Sequence, residues 1–115
     1  MEYIEIIKKS KFLAFGFNIE SEDFFVEYLA KLKKEHKKAT HFCYAYTLNT
    51  NGVLREKFSD DGEPGGTAGR PMLNILKLKN KSNYAVIVVR YFGGIKLGAG
   101  GLTRAYIKTA SKVIE

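Results

Sequence analysis

The sequence predicts an α+β fold with a mostly antiparallel sheet and helices on one face. Clusters of β-branched and aromatic residues occur in five segments, and apolar residues recur at helical spacing in three others. The resulting order, β-β-α-β-β-α-β-α, mixes strands and helices in the way that α+β proteins do. With 45% hydrophobic residues in 115, the chain can bury one substantial core. We therefore expect a single domain over residues 1–115.

The first three elements are a hairpin and a helix. Tyr3 to Ile7 and Phe12 to Ile19 flank the polar run 8–11, which predicts two paired strands. Ser21 then starts a helix over 22–37, because its hydroxyl can accept a hydrogen bond from a free backbone N–H group. The exposed face of this helix is rich in lysine.

A second hairpin follows this helix. Residues 41–48 alternate, with Phe42 and Tyr44 on one predicted face and His41 and Cys43 on the other. Asn51-Gly52 is a strong signal for a tight turn, since both residue types accept a positive φ. The partner strand is expected around residues 53–58.

The remaining elements are two helices around a buried strand. The first helix is expected over residues 67–79, with Thr67 as its cap and Pro71 in its first turn. Residues 84–91 are almost continuously apolar, which predicts a central strand buried on both faces. A glycine loop at 93–101 then leads into a C-terminal helix that starts near Leu102.

Cysteine content and the N-terminus restrict the class of protein. Cys43 is the only cysteine, so no internal disulfide can form and a reducing compartment is expected. Acids and lysines interrupt the apolar residues at the start of the chain, unlike a signal peptide or a membrane span. These features predict a cytoplasmic protein without membrane association.

The net charge of +7 is distributed unevenly. Residues 1–40 carry eight Lys against seven acids, whereas residues 64–115 carry nine Lys or Arg and one acid. A concentration of positive charge in one part of a protein attracts partners that carry phosphate groups. Solvation of an ordinary surface is the alternative explanation for several of these lysines.

The glycine loop is the most informative motif, with five glycines in nine residues. Glycines allow tight turns and close packing, and they also let backbone N–H groups approach a phosphate at a helix N-terminus. No Walker sequence or dinucleotide fingerprint is present. The candidate residues for binding an anion or nucleic acid are Arg70, Arg90, Lys96, Gly98, Gly100, Gly101 and Arg104.

Three carboxylates and a few other side chains allow further interpretations. Asp60, Asp61 and Glu63 could hold a hard cation such as Mg²⁺, or they could cap turns and pair with Arg70 or Arg90. His41 and Cys43 share a predicted strand face, but a buried structural thiol is the commoner arrangement. The histidines and single cysteine are too few for a zinc site. Four aromatic residues could stack on bases or pack in the core: Tyr44, Tyr46, Tyr91 and Phe92.

Four strings in the sequence resemble the Impact/YigZ family, in its N-terminal domain. They are KKSKF (8–12), ATHFCYAYTL (39–48), DDGEPGGTAGRPML (60–73) and VVRYFGGIKLGAGGLTRAY (88–106). The resemblance implies the fold of the second domain of small-subunit ribosomal protein five, which domain IV of elongation factor G shares. It also implies an association with translation, and it carries over no catalytic residue or cofactor.

Charge and resemblance together suggest a non-enzymatic regulatory module. Its expected partner is RNA or a ribosome-associated protein, contacted through the basic, glycine-rich surface. The alternative is a metal-assisted enzyme for a phosphorylated small molecule or nucleotide. In that case Asp60, Asp61 and Glu63 would hold the metal and the glycine loop would hold the phosphate.

Overall fold

A computed structural model describes all residues of the chain, 1–115. Five strands form one sheet in the order β1-β2-β5-β3-β4, and every neighbouring pair is antiparallel. The α+β class and the antiparallel sheet predicted from the sequence are thus confirmed. The elements are β1 (Glu2–Ile7), β2 (Ser10–Asn18), α1 (Glu22–Glu35), β3 (His41–Thr50), β4 (Val53–Ser59), α2 (Gly69–Leu78), β5 (Tyr84–Tyr91) and α3 (Gly98–Ser111).

The helices cover both faces of the sheet, which differs from the expectation of helices on one face. Leu73 of α2 and Tyr106 of α3 belong to one buried cluster, whereas Phe25 and Leu32 of α1 belong to another. β5 contributes to both clusters, because its successive side chains point to opposite faces and nearly all of them are apolar. A strand that is apolar on both faces needs cover on both.

The two hairpins turn in the same way with different residues. Asn51 and Gly52 have φ values of 52° and 80°, as expected for this pair. Lys8 and Lys9, between β1 and β2, have φ values of 46° and 68°. Lysine has no intrinsic preference for the left-handed region, so the lysine turn is strained in a way that the asparagine-glycine turn is not.

The helix starts differ from the predictions in two cases. Ser21 caps α1 as predicted, by accepting a hydrogen bond from the backbone N–H of Phe24 at 3.1 Å. Thr67 does not cap α2; its hydroxyl donates to the carbonyl oxygen of Pro64 instead. The last helix begins at Gly98 and not near Leu102, because packing of its apolar residues outweighs the poor helix propensity of glycine.

None of the three helices is both long and apolar enough to cross a membrane.

Candidate nucleic-acid interface

A buried ion pair lies where β5 meets the loop after β4. Nη1 of Arg90 donates to both carboxylate oxygens of Glu63, at 2.9 and 2.7 Å. The side chains are 5% and 3% exposed, so both charges are almost completely removed from water. Arg90 also donates from Nε and Nη2 to the hydroxyl of Ser10. The sequence indicates Arg70 and Arg90 as possible ion-pair partners of the carboxylates at 60–63, and the pairing with Arg90 is confirmed.

Further polar groups complete the surroundings of Glu63. The hydroxyl of Tyr106 donates to Glu63 Oε2 at 2.5 Å. His41 places Nε2 3.3 Å from Glu63 Oε1 and Nδ1 2.8 Å from the carbonyl oxygen of Asp61. Each ring nitrogen of His41 thus faces an oxygen that accepts hydrogen bonds, one from a side chain and one from the backbone.

Cys43 is a structural thiol in this surrounding. Its Sγ lies 3.3 Å from the hydroxyl of Tyr106 and 3.1 Å from the carbonyl oxygen of Asp60. Burial raises the pKa of the Cys43 thiol far above its usual value. Burial likewise raises the pKa of the Tyr106 hydroxyl. A protonated, inaccessible thiol is not a nucleophile, so Cys43 has the structural role that the sequence favours.

The three carboxylates considered for metal binding each have different hydrogen-bond partners. Asp60 accepts hydrogen bonds from the backbone N–H groups of Gly66, Ala68 and Gly69. Asp61 accepts one from the backbone N–H of Phe42, and Glu63 pairs with Arg90. No group of three or more potential ligand side chains forms anywhere in the chain. The three carboxylates therefore have the capping and ion-pairing roles that the sequence allows as the alternative to a cation site.

Replacing Asp60 with Asn is expected to lower the free energy of unfolding by about 1–2 kcal/mol at neutral pH, because the start of α2 loses a charged cap. Partial burial acts to raise the pKa of Asp60, but the three backbone N–H groups outweigh it and hold the pKa below its usual value. The stabilisation is thus present above the unfolded-state pKa of about 3.9 and is lost as the pH falls through the folded-state pKa.

Urea denaturation followed by circular dichroism at neutral and acidic pH measures this effect. The difference between the wild-type chain and the Asp60→Asn variant should shrink as Asp60 becomes protonated. A difference that is independent of pH would contradict the assignment of the cap to the carboxylate.

An open cleft of about 390 Å³ lies beside the buried ion pair. Arg90 and Glu63 form part of its wall, and the start of α3 forms another part. The exposed ring of Phe92 and the exposed Lys96 also line it. The full lining consists of Thr40, His41, Glu63, Pro64, Arg90, Phe92, Lys96, Leu97, Gly98, Ala99 and Leu102.

A second cavity, of about 230 Å³, shares Leu97 with the first. Its lining includes Lys8, from the strained turn, and Arg104 and Lys108 of α3. Lys108 is paired with Glu5. Lys8, Arg104 and Lys96 of the first cleft are exposed and form no ion pair, so three free cations surround two adjoining cavities.

Most of the predicted site residues lie at this end of the molecule. Lys96 and Gly98 line the first cavity, and Gly101 and Arg104 line the second. A Cβ atom added to Gly100 would lie 3.3 Å from Nη1 of Arg104, so this glycine leaves room for the guanidinium group.

Two of the predicted site residues, Arg90 and Arg70, do not contribute a free positive charge to the cavities. Arg90 is only 4% exposed and neutralised by Glu63. It therefore shapes the cleft wall and is not a free cation. Arg70 lies elsewhere, with its guanidinium carbon 4.7 Å from the centre of the Phe58 ring on the edge strand β4. It is not part of this site.

Several residues of the site were not among the predicted ones. Tyr106 and Ser10 complete the buried cluster, and Lys8 joins the rim. Phe92 was one of four aromatics considered for stacking. Among those four it is the exposed one, at 47%. The backbone N–H of Phe92 donates a hydrogen bond to the hydroxyl of Thr40 at 3.0 Å, which fixes the position of Phe92. An arginine within an apolar strand was the one sequence signal for a buried acidic partner.

Comparison with known proteins gives consistent relatives. The chain is 47% identical over 111 residues to the IMPACT family member YvyE of Bacillus subtilis, covering 96% of this chain and 51% of that protein. It is 44% identical over 107 residues to the IMPACT family member YigZ of Escherichia coli, covering 90% and 51%. The chain thus spans about half the length of these bacterial relatives.

Two solved structures resemble the fold. A structure described as a hypothetical protein superposes with a TM-score of 0.89 at 35% identity, covering 97% of this chain and 55% of that one. The two-domain translational regulator Yih1 superposes with a TM-score of 0.59 at 26% identity, covering 98% and 43%. The model of the family described as Impact N-terminal domain matches residues 8–114. This match spans nearly the whole chain and agrees with the motifs noted in the sequence, so the chain belongs to the Impact N-terminal domain family.

Proposed function

We propose that this chain is a non-enzymatic, translation-associated module of the cytoplasm that binds RNA through the two adjoining cavities. One observation carries the proposal: Lys8, Lys96 and Arg104 are exposed beside these cavities and form no ion pair. Free cations around a concave surface favour a phosphate backbone, because binding releases its condensed counterions.

The family supports the translational context. The structurally similar Yih1 is described as a two-domain translational regulator. The charge distribution supports the nature of the partner, since residues 64–115 carry a net charge of +8, whereas the whole chain carries +7. RNA is the negatively charged polymer most abundant in the translational machinery.

The alternative of a metal-assisted enzyme has less support. Its metal site required Asp60, Asp61 and Glu63 to converge, and each carboxylate instead has its own donors. Burial raises the pKa values of the Tyr106 hydroxyl, which is bonded to Glu63, and of the Cys43 thiol, which contacts Tyr106. Neither group is suited to proton transfer near neutral pH.

The double variant Lys96→Gln/Arg104→Gln is expected to weaken RNA binding strongly at low salt. Each lost phosphate contact should also reduce the slope of log affinity against log salt by about 1. Fluorescence anisotropy with a labelled RNA, measured over a series of salt concentrations, gives both values. Neither side chain is buried, so the variant should keep the fold.

A matched control is Lys31→Gln/Lys34→Gln on α1, which removes the same charge from the opposite face of the sheet. Affinity that falls equally in both variants would indicate a general charge effect and contradict the assigned surface. If RNA does not bind at all at low salt, the proposal fails. Sedimentation with ribosomes that depends on Lys96 and Arg104 would then assign the surface to a ribosome-associated protein.

A further inference from the structure

We infer that the RNA is single-stranded where it meets this chain, and that one unpaired base stacks on Phe92 inside the larger cleft. The inference rests on the proposed function, since it names the form of RNA that this surface accepts. It depends on the shape of the cleft and on one exposed aromatic ring, which are independent of the net charge.

The side chain of Phe92 is exposed in the cleft and is not packed in the core. Phe92 is 47% exposed and lines the cleft, whereas Tyr46 is buried and the hydroxyl of Tyr91 is hydrogen-bonded to His36. The Thr40 hydroxyl holds the backbone of Phe92. The guanidinium carbon of Arg90 lies 5.5 Å from the ring centre. The ring is thus held in place before any ligand arrives, which reduces the entropy lost on binding.

The remaining lining suits a nucleotide. The first cleft combines apolar walls from Pro64, Leu97 and Leu102 with the free ammonium group of Lys96. A base can contact the apolar walls and the ring while its phosphate lies near Lys96. The cavity of about 390 Å³ has the size of a small-ligand site and is far too small for a duplex.

The adjoining cavity offers a path for the strand to continue. Lys8 and Arg104 line it, and Leu97 separates it from the first. A strand that crosses Leu97 would meet free cations on both sides. Paired bases in a helix have their faces covered by their neighbours, so only an unpaired base can use the ring.

The experiment compares a labelled single-stranded RNA of about 12 nucleotides with a duplex of the same length, by fluorescence anisotropy at low salt. Wild-type chain should bind the single strand at least about tenfold more tightly than the duplex. Phe92→Ala should lose about tenfold of that affinity. Phe92→Tyr should retain it, because the aromatic face is kept.

Phe24→Ala is the matched control, since Phe24 is 46% exposed and lies on α1 at the opposite face of the sheet. Its affinity should equal that of the wild-type chain. Circular dichroism of each variant checks that the fold is intact. Phe92→Leu separates stacking from apolar bulk, and it should bind nearly as weakly as Phe92→Ala.

The outcomes separate this inference from the proposed function. Equal affinity for duplex and single strand, with Phe92→Ala unchanged and Lys96→Gln weakened, would overturn the inference while the proposed RNA binding stands. Absence of binding to either RNA would overturn both. Equal losses in Phe92→Ala and Phe92→Tyr would also overturn the inference, since stacking would then not be the cause.

Discussion

Replacing Arg90 with Met is expected to lower the free energy of unfolding by about 3–5 kcal/mol, because the carboxylate of Glu63 would remain buried without its main partner. Both side chains are at most 5% exposed, so water cannot replace the lost hydrogen bonds. Small domains are stable by only about 5–15 kcal/mol. Urea denaturation followed by circular dichroism measures the loss.

The double variant Arg90→Met/Glu63→Gln should recover part of this loss. The neutral amide avoids a buried charge and still accepts the hydrogen bond from Tyr106. Lys31→Met serves as the control, because its ion pair with Glu35 is exposed and 4.0 Å long, and exposed pairs contribute little. A loss below about 1 kcal/mol in Arg90→Met would contradict the central role of the pair.

Replacing Gly93 with Ala is expected to destabilise the chain by about 1–3 kcal/mol or more, because the added Cβ has no space. It would lie 2.0 Å from the carbonyl oxygen and 2.2 Å from the carbonyl carbon of Lys9. Both are backbone atoms, so the strained turn and the glycine loop must move apart. RNA affinity should fall with stability, since this movement also displaces the adjacent Lys8.

Gly65→Ala is the matched control for this substitution. A Cβ atom at Gly65 would have no heavy atom within 4 Å, and this glycine is not among those with positive φ. The melting temperature of the Gly65→Ala variant should equal that of the wild-type chain or be slightly higher. If Gly93→Ala melts at the same temperature as Gly65→Ala, the close packing of turn and loop is not required for stability.

Local residue patterns were sufficient to predict the order of elements. The alternation in β3 and the continuous apolar run of β5 both correspond to the observed strands. The placement of α1 was missed, although β2 carries apolar residues on both faces, with Phe12 and Leu13 in different clusters. A two-sided apolar strand is the physical sign that helices cover both faces.

The site was harder to predict because its parts are far apart in the chain. Glu63 and Arg90 are 27 residues apart, and Ser10 is 80 residues from Arg90. The sequence indicates that a buried arginine needs an acidic partner. It does not indicate which of three nearby carboxylates folds inward, since that depends on the path of the loop that starts at Asp60.

The helix starts show a similar division between local and distant causes. Ser21 caps α1 from an adjacent position, which a local pattern can reveal. Asp60 caps α2 from eight and nine residues away, through Ala68 and Gly69. Thr67 was the closer candidate, but its hydroxyl donates to Pro64 instead.

The left-handed backbone of the Lys8-Lys9 turn implies a conflict between thermal stability and affinity for a polyanion. Asparagine and glycine would adopt these φ values at lower conformational cost, yet they would remove two positive charges, one of which, Lys8, lines the cavity beside Arg104. Selection for heat resistance alone would therefore favour uncharged residues here, whereas selection for capture of a polyanion would favour lysines. The tightest-binding version of this domain and its most heat-resistant version should thus differ at this bend.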